Sequence, residues 1–123
     1  MRAFSAVGHL LAMQEAGLQA LECCIGIDHA AFLADKKTHQ AVLFNLMIVG
    51  ESSSRILKSS PSFTSRFPDI PWRNMMGMRN RIAHAHTTLN LATIWATLEQ
   101  SIPTLIETLP TLLDAARQEE AKG

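Results

Sequence analysis

The sequence predicts an all-α protein, an antiparallel bundle of four to five helices that works as a dimer. Three observations predict it. Apolar residues recur with helical period in each long segment. No stretch alternates apolar and polar residues as a half-buried strand does, and no internal repeat competes. Residues 41–50 are apolar nearly all round, broken only by Asn45. A helix like that is surrounded by protein, and in so small a chain a second subunit supplies the cover that one protomer lacks. With 47% hydrophobic and 18% charged residues the chain has a folded composition. Its 123 residues fit one domain, 1–123, long enough to build a core without disulfides or metal.

The elements follow in order. Phe4, Leu11, Leu18 and Ile25 stand seven apart, with Val7 and Leu21 three residues after two of them. That is one apolar stripe on a helix of roughly 22 residues. Gly26-Ile27-Asp28 ends it, and Asp28 is placed to cap a short helix through Phe32 and Leu33. Asp35 caps the next helix, residues 36–57. Residues 59–71 read as a connector punctuated by Pro61, Pro68 and Pro71. Asp69-Ile70-Pro71-Trp72 reads as a helix start with proline in the first turn. Asn90 caps a final helix in which Leu91, Leu98, Leu105 and Leu112 repeat every seven residues. Trp95, Ile102, Leu109 and Ala116 fill the companion row, and Pro103 and Pro110 are expected to kink or split that helix. Short connections favour antiparallel neighbours.

Charge and cysteine usage exclude several function classes. Eleven basic and eleven acidic residues give a net charge of zero, so overall charge does not attract nucleic acid and any such contact is local. The basic residues do gather: Arg66, Arg73, Arg79 and Arg81 fall in one stretch, while Glu107, Asp114, Glu119 and Glu120 lie in the tail. Cys23 and Cys24 are adjacent and point about 100° apart on a helix, which suits a reducing compartment better than a disulfide framework. The N-terminus lacks a secretory pattern, and the most apolar stretch is too short to span a bilayer. The expected location is cytoplasmic, with no membrane contact.

The chemistry concentrates in residues 73–85. At 100° per residue, Met75, Met76, Met78, Ile82, Ala83 and Ala85 form one apolar arc, and Arg73, Gly77, Asn80 and His84 gather opposite it. Arg79 falls inside the apolar arc. A guanidinium keeps its charge, so a buried one needs a partner. Glu51, directly after the apolar 41–50 stretch, is the expected one. Asn80 and His84 share a face, four residues apart. Arg79 and His84 diverge by about 140°. They converge through the long arginine side chain, through a helix end near His84, or across a two-fold axis. An imidazole near neutral pKa exchanges the proton of a 2′-hydroxyl or a leaving oxygen. An arginine stabilises phosphoryl charge, and an amide holds a phosphate or the imidazole. No metal or other cofactor is needed for this. His84-Ala85-His86, with no acid or cysteine at ligand spacing, is a weak metal pair. His9, His29 and His39 are scattered and receive no role.

Ile70-Pro71-Trp72-Arg73 followed by Gly77-Met78-Arg79-Asn80-Arg81-Ile82-Ala83-His84 resembles the core signature of the HepT-like toxins, the DUF86 group of the HEPN superfamily. Phe32-Leu33-Ala34-Asp35, Ala41-Val42, Asn45-Leu46 and Val49-Gly50-Glu51 resemble that family's second helix, and Leu91-Ala92-Thr93-Ile94-Trp95 its segment after the motif. The resemblance implies a HEPN-like dimer with two Arg-x4-His motifs around a shared cleft. It implies a toxin of a type II toxin–antitoxin system, a metal-independent ribonuclease neutralised by a minimal nucleotidyltransferase (MNT-type) antitoxin. The site expected from residues and resemblance together has Arg79, Asn80 and His84 as catalytic groups. Glu51, Arg81 and His86 support them, and Arg73, Arg79 and Arg81 contact RNA. One departure stands out. The family motif commonly continues His-x-Tyr, the tyrosine being the residue that the antitoxin modifies. Here His86 holds that position and the chain contains no tyrosine, so tyrosine adenylylation is impossible. A second reading is a non-catalytic HEPN module that binds a nucleotidyltransferase or a nucleotide through the same cleft; zero net charge favours it. A third, a purely structural dimerisation bundle, leaves Arg79 unexplained.

Overall fold

In the computed structural model residues 6–84 and 89–122 are described, and among them there are helices and turns but no strand. The elements are α1 (Ala6–Glu22), α2 (His29–Ala34), α3 (Lys36–Ser59), α4 (Pro61–Ser65), α5 (Trp72–His84), α6 (Leu91–Ala96), a π-helical segment (Thr97–Ser101) and α7 (Ile102–Lys122). α3 lies between α1 and α5, and α7 packs on the other flank of α1.

Two apolar clusters fix the directions. One joins Leu10 and Met13 of α1 to Val49 and Ile56 of α3, Trp72 and Met75 of α5, and Leu109 and Leu112 of α7. The other joins Ala20 of α1 to Val42 and Leu46 of α3, Met78 and Ile82 of α5, and Ile94, Leu98 and Ile102 of the last helix. The start of α1 therefore meets the end of α3, whose later half meets the start of α5. Neighbouring long helices run antiparallel, as expected of short connections.

The expected caps are present. Asp28 accepts from the Ala31 amide at 2.8 Å. Asp35 accepts from Lys37 N and Thr38 N, and also from the Thr38 hydroxyl at 2.9 Å. Asn90 accepts from Ala92 N and Thr93 N. Each carboxylate or amide oxygen satisfies first-turn donors that the helix itself cannot.

Three expectations are corrected. Phe4 lies outside the described residues, and the rest of its heptad stripe faces away from the core. Leu11 and Leu18 are exposed and Ile25 lies beyond the helix end. The buried line is Ala6, Leu10, Met13, Ala16, Gly17 and Ala20. Small residues on that line let α1 nest between α3 and α7, and they carry too little hydrophobicity to stand out in sequence. The connector after α3 contains a helix, α4, because Phe63 buries itself against Phe67 and Trp72. Of the two prolines expected to disturb the last helix, only Pro103 follows a disruption: Ile102 N donates to Thr97 O, five residues back. That wide turn makes room for a ring that would clash with the preceding turn. Pro110 sits inside unbroken α7 on an exposed face, where the carbonyl it leaves without a donor can meet water. Between the start of α5 and the π segment a groove remains, floored by Met75, Met78, Ile102 and Leu105.

Candidate active site

α5 is anchored before it delivers any functional group. The Trp72 indole N–H donates to Phe67 O at 3.1 Å, and the buried Ser53 hydroxyl of α3 donates to Trp72 O at 2.6 Å. Met75 N donates to Pro71 O at 3.0 Å, starting the helix at the predicted place. One apolar face of α5 then packs inward through Met75, Met78 and Ile82.

Arg79 follows from the crossing with α3. A Cβ on Gly50 would stand 2.4 Å from Arg79 Cβ and 2.6 Å from Met75 O, so only glycine lets the two helices come this close. The approach covers the aliphatic stem of Arg79, whose side chain is 26% exposed. Its Nη2 lies 3.1 Å from Glu51 Oε1, the partner expected from sequence. The second oxygen of the same carboxylate accepts from Arg55 Nε at 2.8 Å. One acid thus holds two guanidiniums from two helices. Arg79 Nε is buried and meets no acceptor among the described residues. An unsatisfied buried donor costs about 1–3 kcal/mol, so the arrangement is not one that stability alone selects.

The electrostatics follow. The hydrogen bond from Arg55 holds the Glu51 carboxyl below the usual carboxylate range, partial burial opposes this, and the charges of Arg79, Arg55 and Lys58 reinforce it. His9 of α1 lies within electrostatic reach: burial and then Arg55 push its imidazole pKa down, while Glu51 pulls it up. His9 had no sequence signal and joins this group only through the packing of α1 on α3. Arg55 did have one: it stands four residues after Glu51 on α3, the spacing of an acid–base pair on one helix face.

The remaining candidates divide. Asn80 and His84 are exposed, one helical turn apart, with His84 at the end of α5. Arg73 is exposed in the first turn. Arg81 stands about 200° around the helix from Arg79 and lines a different hollow, with Asn90, Thr93 and Thr97. The expected trio Arg73, Arg79 and Arg81 is therefore not one patch. His86 lies outside the described residues. Among the described residues no three His, Cys, Asp or Glu side chains gather as metal ligands, and no helix is long and apolar enough to cross a membrane. What the arrangement offers chemically is a guanidinium aimed by a carboxylate, with an amide and an imidazole on the outer face of the same helix.

Residues 13–112 match a family described as ribonuclease HepT-like. An inferred ribonuclease HepT of Thermococcus cleftensis is 40% identical over 74 residues, covering 60% of this chain and 64% of that protein. Two Methanocaldococcus jannaschii proteins named as RNases by inference are also similar. One is 29% identical over 72% of this chain and 79% of its own length, the other 30% identical over 67% and 65%. The chain thus matches just under two thirds of the length of two of these three relatives. No solved structure matches.

Proposed function

The chain belongs to the ribonuclease HepT-like family, and from that premise we propose that it cleaves RNA without a metal, using Arg79, Asn80 and His84 at the cleft of a homodimer. The observation that carries the reading is Arg79 itself, a charge set on an apolar face, aimed by Glu51 and keeping a buried Nε donor unspent. In the proposed reaction His84 exchanges the proton of the attacking 2′-hydroxyl or the leaving oxygen. Arg79 stabilises the charge that grows on the phosphoryl oxygens, and Glu51 keeps the guanidinium oriented while that happens. Asn80 holds a phosphate oxygen or the imidazole. The 140° divergence of Arg79 and His84 favours sharing the two groups across a two-fold axis. An exposed apolar side chain on α3, Phe44, about two turns before Glu51 on the same helix, supports a second subunit there.

As a toxin, the protein arrests growth by cutting RNA, and a minimal nucleotidyltransferase antitoxin restrains it. With no tyrosine in the chain, that restraint is binding, or modification of another residue. His86 is the proposed substitute in the cleft. Arg79→Ala and His84→Ala are each expected to abolish RNA cleavage and relieve growth arrest while leaving the far-ultraviolet circular dichroism unchanged. Purified protein that cuts no RNA, together with variants that arrest growth like the parent, would leave the non-catalytic module as the reading.

A further inference from the structure

Arg79 does not hold Glu51 alone. Arg55 Nε takes one carboxylate oxygen at 2.8 Å while Arg79 Nη2 takes the other at 3.1 Å. A carboxylate has one negative charge, so the two guanidiniums leave one positive charge uncompensated. Lys58, three residues further along α3, adds a second. No carboxylate pairs with Lys58 within ion-pair distance among the described residues. Glu51, Ser54, Arg55, Lys58 and Ser59 line one open hollow on this face. An ordinary Glu–Arg pair one turn apart neutralises itself and contributes little. Here the acid is shared with Arg79, so it orients Arg55 through Nε and leaves the terminal nitrogens of that guanidinium without a bond among the described residues. Apart from Glu51, whose carboxylate is held by the two guanidiniums, and Ser59, whose hydroxyl donates to Arg55 O, the hollow presents the cations Arg55 and Lys58 and no aromatic ring, a composition suited to phosphate and not to bases.

We propose that Arg55 and Lys58 form a phosphate subsite continuous with Arg79, which seats the RNA backbone beside the scissile bond on α3. The inference rests on the ribonuclease reading. In a chain of zero net charge no diffuse field draws RNA in, so local cations must carry the salt dependence of binding.

The test is the salt dependence of binding of a single-stranded RNA to the His84→Ala protein, which retains RNA uncut. Each phosphate contact contributes about 0.7 to the slope of log affinity against log salt for single strands. Lys58→Gln leaves both Glu51 pairs in place and is expected to lower the slope by about 0.7; adding Arg55→Gln lowers it by about 1.4 in all, with affinity at low salt falling roughly tenfold or more. The control is Lys36→Gln with Lys37→Gln, which removes the same charge from the start of α3, roughly 30 Å away along the helix, and is expected to leave the slope unchanged. A parent that binds RNA with a slope that Lys58→Gln and the double variant do not alter, or that the control alters equally, overturns the subsite alone. A parent that binds no RNA at any salt concentration overturns both the subsite and the proposed function.

Discussion

At residue 50 the absence of a side chain decides where Arg79 stands. Replacing an exposed helical glycine by alanine usually stabilises a helix by about 1 kcal/mol. At Gly50 the added methyl would meet Arg79 Cβ and the Met75 carbonyl, neither of which can swing aside. Overpacking of this kind costs about 1–3 kcal/mol. Gly50→Ala is therefore expected to destabilise the protein by about 2 kcal/mol in urea unfolding and to weaken RNA cleavage, because α3 and α5 separate and Glu51 moves off Arg79. A variant as stable as the parent would mean the crossing is looser than described. Arg79 and Glu51 were legible in the sequence because a charge on an apolar face demands a partner, and one acid was well placed. Gly50 was not legible in this role: a glycine inside a helical pattern announces no particular neighbour. The same holds for His9, whose place beside Glu51 depends on a helix crossing that periodicity does not specify; Arg55, four residues after Glu51 on the same helix, was within reach of sequence spacing alone.

Among the elements, those whose limits are set by local chemistry were readable, and those set by packing were not. Asp28, Asp35 and Asn90 each cap the helix expected of them, since a cap needs only a side-chain oxygen and the next amides. The inward face of α1 is hard to read from sequence because the large apolar heptad of Leu11, Leu18 and Ile25 is more conspicuous than a line of Ala16, Gly17 and Ala20. The short α4 escaped notice because it depends on Phe63 finding Phe67 and Trp72. Asn90 matters more than its exposed position implies, because α6 starts there and its Ile94 joins Met78 and Ile82 of α5 in one cluster. Asn90→Ala is expected to cost about 1 kcal/mol and to lower the melting temperature by about 4 °C at a length of 123 residues. An unchanged transition in a thermal melt followed by circular dichroism would show that the amides of Ala92 and Thr93 find other partners.

For the whole molecule, the exposed apolar residues bear on assembly. Phe44 is 65% exposed, and Met47 and Ile48 beside it on α3 are only half-buried. The all-round apolar character read from residues 41–50 therefore leaves one flank uncovered within the protomer. Glu51 follows Phe44 by seven residues, so this flank is continuous with the candidate site. The proposed dimer covers it and sets two such sites face to face. Phe44→Asp is expected to yield a folded monomer in sedimentation at micromolar concentration, with cleavage lost although Arg79, Asn80 and His84 are untouched. A parent that itself sediments as a monomer would remove the dimer from the mechanism.

The π segment carries a consequence for the length of the last helix. Ile94, Leu98 and Ile102 are spaced by fours, whereas Leu105, Leu109, Leu112 and Ala116 alternate threes and fours. A regular helix keeps one face inward only with the second rhythm; the first fits because one turn is wider. Thr97–Ser101 thus behaves as a single surplus residue taken up within one turn, leaving both halves of the helix in phase with their neighbours. Deleting exposed Glu99 or Gln100 is expected to give a folded protein with an evenly wound helix in which the Pro103 ring presses on the preceding turn, at a cost of about 3 kcal/mol and a melting temperature lower by about 10 °C. Removing one residue between Phe44 and Glu51 would instead rotate Glu51 by about 100° and undo its hold on Arg79. A melt unchanged by deletion of Glu99 would show that Pro103 does not need the wide turn.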